Sequence, residues 1–254
     1  MRIDNYLVSI GLFDSRTKAR QAIDRGEIYL NSKQILKASF EVDASNEALS
    51  VKRFCQSDFV SLGGFKLEKA LKDFNLSVEN LIVADIGAST GGFTDCLLQN
   101  GAKKVFAVDL RDDLLSDKLK RDDRVKMIVK NARDLKNTDF NSRLDMIVAD
   151  LSFISISMVV DVFSKLLKNG NKLLLLIKPQ FEVGKKIKLK NGIIRDHTLH
   201  KNICLNVYDE CLKRNLAPIA ITKAPEVEKK NLEFLFLLEK DGEVKLDKNF
   251  VENI

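Results

Sequence analysis

The sequence has no tryptophan, only two histidines, and four cysteines scattered at 55, 96, 204 and 211. Without tryptophan, and without a strongly amphipathic helix carrying a phenylalanine face, it lacks the means of a membrane-surface helix. The cysteines form no C-x-x-C pair and have no histidine at zinc-ligand spacing, so no metal is expected, and buried thiols in a reducing compartment are. Long apolar runs are missing too. The longest clean one, Leu173 to Ile177, stops at Lys178, far short of the roughly 18 to 20 residues of a membrane span. Met1-Arg2-Ile3-Asp4 puts an acid in the first turn with no apolar stretch behind it, unlike a secretory signal. These absences predict a soluble, cytoplasmic protein.

With 254 residues, 45% of them hydrophobic, the chain can bury a full α/β core and still build one small extra domain. Lys and Arg exceed Asp and Glu by 42 to 36, a net +6 that suits a polyanionic partner. The pattern changes character near residue 60. Before it come two short helical patterns, Ile3 to Ile10 and Ser15 to Arg25, with Ser15 as N-cap, then alternating residues Glu27 to Val42 that read as short strands around Asn31-Ser32. Residues 1–40 hold seven Lys or Arg against four acids. Beyond residue 60 the spacing predicts helices over 65–74, 92–99, 112–119, 156–167 and 197–215. Strands are predicted over 81–86, 104–109, 125–130, 144–149, 172–177, 217–222 and 232–238. This is an α/β class pattern, a doubly wound parallel sheet, and its final strand, reached without a helix, is expected to be antiparallel beside its predecessor. The expected boundaries are 1–50 for the small α+β domain, 51–60 for a linker and 61–254 for the larger domain.

The first strand of that sheet runs into "ADIGASTGGF", residues 84–93. A P-loop would need Lys-Ser or Lys-Thr after the last glycine, where Phe93-Thr94 stands. A dinucleotide turn would need G-x-G-x-x-G, whereas Ser89-Thr90 occupies the place of the second glycine. A wider G-x-x-x-G turn suits S-adenosylmethionine, which brings a carboxylate but no phosphate to the helix start. The acid that would grip its ribose is then Asp109, 22 residues past Gly87 at the end of the next strand. Asp85, Gly87, Ser89, Gly91 and Asp109, with Ala88, Phe93, Leu110 and Asn131 around them, form the candidate cofactor set. A glycine turn that serves only close helix packing remains an alternative.

Chemistry in such sheets sits at the carboxyl ends of the strands. Two ends carry charge directly after apolar runs, Asp150 in "MIVADLSF" and Lys178 in "LLLLIKPQF". A buried lysine there is costly unless paired, so an Asp150–Lys178 pair accounts for both. Methylation of a hydroxyl requires removal of its proton, and such a pair offers a base.

The motifs "FKLEKAL", "DIGASTGGFTD", "VADLSFIS", "IKPQFEVG" and "NLEFLFLL" span residues 65–238. With the N-terminal region they closely resemble the TlyA, or haemolysin-A-like, family of rRNA 2′-O-methyltransferases. That resemblance implies a Rossmann-like class I methyltransferase domain of FtsJ type with a Lys-Asp-Lys-Glu tetrad. Matched motif by motif, the tetrad is Lys66, Asp150, Lys178 and Glu233. Lys178 would be the general base, partly neutral beside the second cation Lys66, with Asp150 orienting it and Glu233 holding the lysines. Arg2-Ile3-Asp4, Ser15-Arg16, Ile23-x-x-Gly26 and Asn31 with Lys37 resemble the S-four RNA-binding module, which implies RNA contacts from Arg2, Arg16, Lys18, Arg20 and Lys37. The implied partner is rRNA within ribosomal subunits, the acceptor a cytidine of 16S or 23S rRNA, and the expected assembly a monomer or weak dimer. Two departures stand out: Leu62 replaces the family's arginine before the first lysine, and the loop before Glu233 carries Glu226, Glu228, Lys229 and Lys230 instead of small residues.

Three other functions compete with this one. A membrane-active haemolysin needs the span or amphipathic helix that is lacking. A non-catalytic RNA-binding protein would bind no S-adenosylmethionine. A DNA or tRNA base methyltransferase usually carries an Asn/Asp-Pro-Pro-Tyr-type motif, and Asp150-Leu151-Ser152-Phe153 in that place offers no such carbonyl-and-aromatic clamp for a flipped base.

Overall fold

The computed structural model describes residues 1–24, 26–31, 33–45, 50–53, 59–183, 192–227 and 230–251. Ser32, Cys55, Glu228 and Lys229, to which the sequence reading attached expectations, lie outside them. The chain forms two compact units, residues 1–58 with 225–230, and residues 59–224 with 231–254. Residues 225–230, expected inside the larger domain, thus cluster with the first unit.

In the first unit α1 (Ile3–Ser9) and α2 (Arg16–Asp24) pack on a three-stranded sheet of β1 (Ile28–Leu30), β2 (Lys33–Gln34) and β3 (Val51–Arg53), in the order β2-β1-β3. Apolar residues at helical spacing, Ile3 and Leu7 on α1 and Ala19, Ala22 and Ile23 on α2, meet Phe13, Ile28, Ile35 and Val42 in one core. Ser15 caps α2 as expected, its Oγ accepting from Lys18 N at 3.3 Å. Asn31 takes φ +48° between the paired Leu30 and Lys33, so asparagine supplies the left-handed turn position. Residues 51–53, in a stretch, 44–60, whose pattern predicts an edge strand and linker, form the edge strand β3 against β1, although the expected domain boundary put them in the linker. The segment from the far end of the chain reaches β2, where Gln34 N donates to Glu226 O at 3.0 Å.

The second unit carries α3 (Gly63–Asp73), β4 (Ile82–Ile86), α4 (Gly92–Gln99), β5 (Lys104–Asp109), α5 (Asp117–Lys120), β6 (Val125–Val129) and β7 (Met146–Ala149). These are followed by α6 (Val160–Leu166), β8 (Lys172–Ile177), α7 (Pro179–Glu182), α8 (His197–Leu212), β9 (Leu216–Lys223), β10 (Phe234–Lys240) and α9 (Lys248–Val251). The strands form one sheet in the order β6-β5-β4-β7-β8-β10-β9. Strands β4 to β8 pair in parallel, and β10 runs antiparallel to both β8 and β9. The last strand is therefore antiparallel beside its predecessor, as expected, and also separates that predecessor from β8. Continuous apolar runs such as Leu173–Ile177 are wholly buried because helices cover both faces. Cys96, Cys204 and Cys211 lie in that interior as free thiols. No described helix is long and apolar enough to cross a membrane.

Two helices differ from expectation. The one expected from 112 begins only at Asp117, because Ser116 N donates to Thr90 O and draws the preceding residues across the glycine loop, where Leu115 is buried. The one expected from 156 opens as a 3-10 turn, Ile156–Met158, before α6.

Candidate active site

Order in the sheet reverses at β4, whose neighbours are β5 and β7, and a crevice opens at the carboxyl ends of strands at such a point. Register decides what faces it. Ile86 pairs with both Val108 and Ala149, so the next residues of the three strands, Gly87, Asp109 and Asp150, come level at the strand ends. A cavity of about 610 Å³ opens there, within the usual range for a small-molecule site.

Of the nine candidate cofactor residues, Gly87, Ser89, Asp109, Leu110 and Asn131 line the cavity, as does Asp150. Asp109 is held at both oxygens, Oδ2 accepting from Ser89 N at 2.8 Å and Oδ1 from Leu110 N at 2.7 Å. A carboxylate fixed in this way keeps lone pairs for a diol. Asn131 caps the turn 132–134 by accepting from Arg133 N at 3.0 Å. Gly87 has φ +89°, and a Cβ there would lie 2.4 Å from the Asp150 carbonyl oxygen, so the turn requires glycine to close on β7.

Asp85, Ala88, Gly91 and Phe93 are buried and do not line the cavity. At Gly91, φ +93°, an added Cβ would strike Leu119 Cδ1 at 2.1 Å, so this glycine serves packing against α5. Asp85 accepts from Thr94 Oγ1 at 2.6 Å, and its other oxygen has no hydrogen-bond partner among the described residues. Burial pushes the Asp85 carboxyl up to about 7; Thr94 pulls against that shift, and the Asp150 charge adds to it.

The four expected tetrad residues form two ion pairs. Lys178 Nζ stands 2.5 Å from Asp150 Oδ1, and its hydrogen bond goes to Ser152 Oγ at 2.9 Å. Lys66, on the first turn of α3, donates to Glu233 Oε2 at 2.6 Å, with both side chains largely shielded. Phe234 pairs with Ile177 across the β10–β8 ladder, and the same register carried one residue further opposes Glu233 and Lys178. Directly opposed residues have Cβ atoms about 4.5 to 5.5 Å apart, so the ladder gathers both pairs at one sheet end.

Three neighbours, Ser152, Phe153 and Glu182, make contacts that were not predicted from the sequence. Ser152 holds Lys178. Phe153 is 89% exposed at φ +63°, lines the cavity, and has its ring centroid 4.9 Å from that of Phe181. Glu182 ties the segments after β7 and β8 together, accepting from Ser155 Oγ at 2.7 Å and Ile156 N at 2.8 Å, and burial raises its pKa. Their only sequence signal was that "ADLSFIS" and "KPQFEVG" each carry more polar and aromatic residues than one ion pair needs.

Of the expected RNA-facing residues in the first unit, Arg16, Lys18, Arg20 and Lys37 are exposed and Arg2 is half-buried. Lys18 pairs with Asp14 at 2.7 Å.

Residues 59–240 match the FtsJ-like methyltransferase family. The chain belongs to that family. Ahead of the FtsJ-like region, residues 1–47 match the S4 domain. Among curated relatives, Hemolysin A of Brachyspira hyodysenteriae is 40% identical over 92% of this chain and 98% of its own. The 16S/23S rRNA (cytidine-2′-O)-methyltransferase TlyA of Mycobacterium tuberculosis is 36% identical over 81% of this chain and 77% of its own. Among solved structures, a Streptococcus thermophilus protein is 35% identical with a TM-score of 0.74, covering 100% of this FtsJ-like methyltransferase and 94% of its own chain.

Proposed function

We propose that the protein transfers a methyl group from S-adenosylmethionine to a ribose 2′-hydroxyl of ribosomal RNA, with Lys178 as the general base. The observation that carries this reading is the Lys178–Asp150 pair, because Asp150 also forms part of the wall of the cavity whose rim holds Asp109. Base and cofactor site thus share one residue.

The cavity suits the methyl donor. Gly87 leaves the strand end open, and Asp109 offers a fixed carboxylate to ribose hydroxyls. When bound, S-adenosylmethionine supplies a methyl group activated by its sulfonium. The chain's own residues supply the rest. Lys178, as free amine, takes the proton of the 2′-hydroxyl; Asp150 and Ser152 hold its Nζ in place and stabilise the ammonium that forms. Lys66 and Glu233 brace the opposite strand. The exposed ring of Phe153 gives the acceptor base a surface to stack on. Relatives of the cytidine-2′-O type favour cytidine as that acceptor.

The first unit binds the same RNA, with Arg2, Arg16, Lys18, Arg20 and Lys37 contacting phosphates and setting position rather than sequence. In this reading residues 1–50 deliver the RNA and residues 61–254 modify it. The test is transfer of labelled methyl groups to purified ribosomal subunits, followed by mapping of hydrolysis-resistant riboses. Lys178→Ala is expected to lower turnover by about 100-fold or more and to leave cofactor affinity by calorimetry within about twofold; turnover within about tenfold of wild type would refute the base assignment.

A further inference from the structure

Asp4 lies in α1 of the first unit with its side chain fully enclosed, at 0% exposure. Three guanidiniums converge on it. Arg2 donates from Nε at 3.1 Å and from Nη2 at 3.1 Å, Arg16 from Nη2 at 3.1 Å, and Arg20 from Nε at 3.0 Å. Oδ2 accepts three of the four bonds, one from each arginine, and Oδ1 accepts the other one from Arg2. The arginine side chains themselves are 40%, 52% and 50% exposed. The acid is a buried hub, and the cations stand around it with most of their donors uncommitted to it.

Stability alone does not call for this arrangement. One arginine would neutralise one carboxylate, and the second and third add a like-charge repulsion that costs folding energy. Arg16 also opens α2, where the partial positive charge of the helix end disfavours a cation and no acid shares the first turn. Arg16 and Arg20 lie one turn apart on α2 while Arg2 precedes α1, so the hub joins three separate chain positions into one cluster with two positive charges in excess. Burial pushes the Asp4 carboxyl up, but the three arginine hydrogen bonds outweigh it and leave the group well below the usual carboxylate range, hence ionised throughout the working pH range.

We propose that Asp4 is a positioning residue for RNA binding, which fixes Arg2, Arg16 and Arg20 as one pre-organised array for successive phosphates of the RNA backbone. The inference rests on the reading of the first unit as RNA-binding. Asp4 touches no RNA itself. It removes in advance the freedom that three long side chains would otherwise lose on binding, and it aims their planar forks at phosphate oxygens.

The test separates organisation from charge, because the two predict opposite signs. Asp4→Asn adds one positive charge, so electrostatics alone makes RNA bind more tightly with a steeper salt dependence. Loss of the array makes it bind more weakly. Affinity of the full-length protein for a fluorescein-labelled RNA hairpin is measured by anisotropy across a salt series. The expected result is a loss of about tenfold or more, and unchanged or tighter binding overturns the proposal. Leu7→Ala, in the same helix and the same core, is the control for lost stability. If Asp4→Asn weakens binding no more than Leu7→Ala does, the proposal also fails. Should Asp4→Asn not fold, Arg20→Lys keeps the charge while removing the fork, and wild-type affinity for that variant overturns the array. Arg16→Ala with Arg20→Ala tests the underlying reading: no effect from this pair means the first unit does not bind RNA there. A loss from the pair without a loss from Asp4→Asn defeats only the present inference.

Discussion

Asp85 makes the stability of the second unit depend on pH in a direction opposite to that of most native carboxylates. Its carboxyl, completely buried at the end of β4, is pushed by burial from an ordinary 3.8 up to about 7. A folded-state value raised above the unfolded one means that the stability contribution is fully present below about pH 4 and is lost as pH rises through about 7. The shift of roughly three units, at about 1.4 kcal/mol each, makes the loss about 4 kcal/mol, nearly all of it between pH 4 and 7. Asp85→Asn keeps an acceptor for Thr94 Oγ1 and cannot ionise. The variant is expected to match wild type near pH 4 and to exceed it by about 4 kcal/mol at pH 8. Urea unfolding followed by circular dichroism at both pH values measures this. Equal stability of the two proteins at pH 8, or a variant that keeps the wild-type pH dependence, would refute the reasoning.

Other outcomes follow from the loops around Asp150. Phe153→Ala is expected to leave the melting temperature almost unchanged, since the ring is exposed, and to raise the KM for RNA about tenfold, as loss of one stacked base would; an unchanged KM would remove Phe153 from the acceptor site. Glu182→Ala removes both bonds that hold residues 155 and 156, so kcat should fall while cofactor affinity holds. Glu182→Gln, whose amide can still accept from Ile156 N, should recover most of that loss, and equal kcat for both variants would count against the brace. Gly87→Ala places a methyl 2.4 Å from the Asp150 carbonyl at a left-handed φ, with an expected cost of roughly 2 to 4 kcal/mol and loss of cofactor binding by calorimetry; a variant that binds normally would show that the turn can open.

Strands β5, β7 and β8 were legible because their buried apolar runs, Val105–Val108, Met146–Ala149 and Leu173–Ile177, each end in a charge. Those same ends pointed to Asp150, Lys178 and Asp109 before any coordinates. Pairing across the sheet was less accessible. That Glu233 lies next to the strand end carrying Lys178 depends on the pairing of Phe234 with Ile177, more than fifty residues apart, and only resemblance to a family pointed to Glu233. The glycines divided in a way no pattern could foresee, Gly87 facing the cavity and Gly91 facing Leu119. Residues 112–116 fit the helical spacing of 112–119, but Asp112, Asp113 and Ser116 are weak helix formers and the tie from Ser116 to Thr90 delays the helix to Asp117. A sequence does not show that the backbone of Phe153 turns through φ +63° and leaves the ring in solvent.

The excursion of residues 225–230 into the first unit bears on how such a protein could be rebuilt by recombination. Its small module is not a bead threaded ahead of an enzyme, since Glu226, more than 190 positions downstream, lies hydrogen-bonded against Gln34. A grafted module that exchanged only the first 58 residues would meet a foreign loop at its β2 edge. To transplant intact, the two stretches would have to travel together, and any lineage that swapped one without the other would inherit a mismatch that ends only three residues short of Glu233.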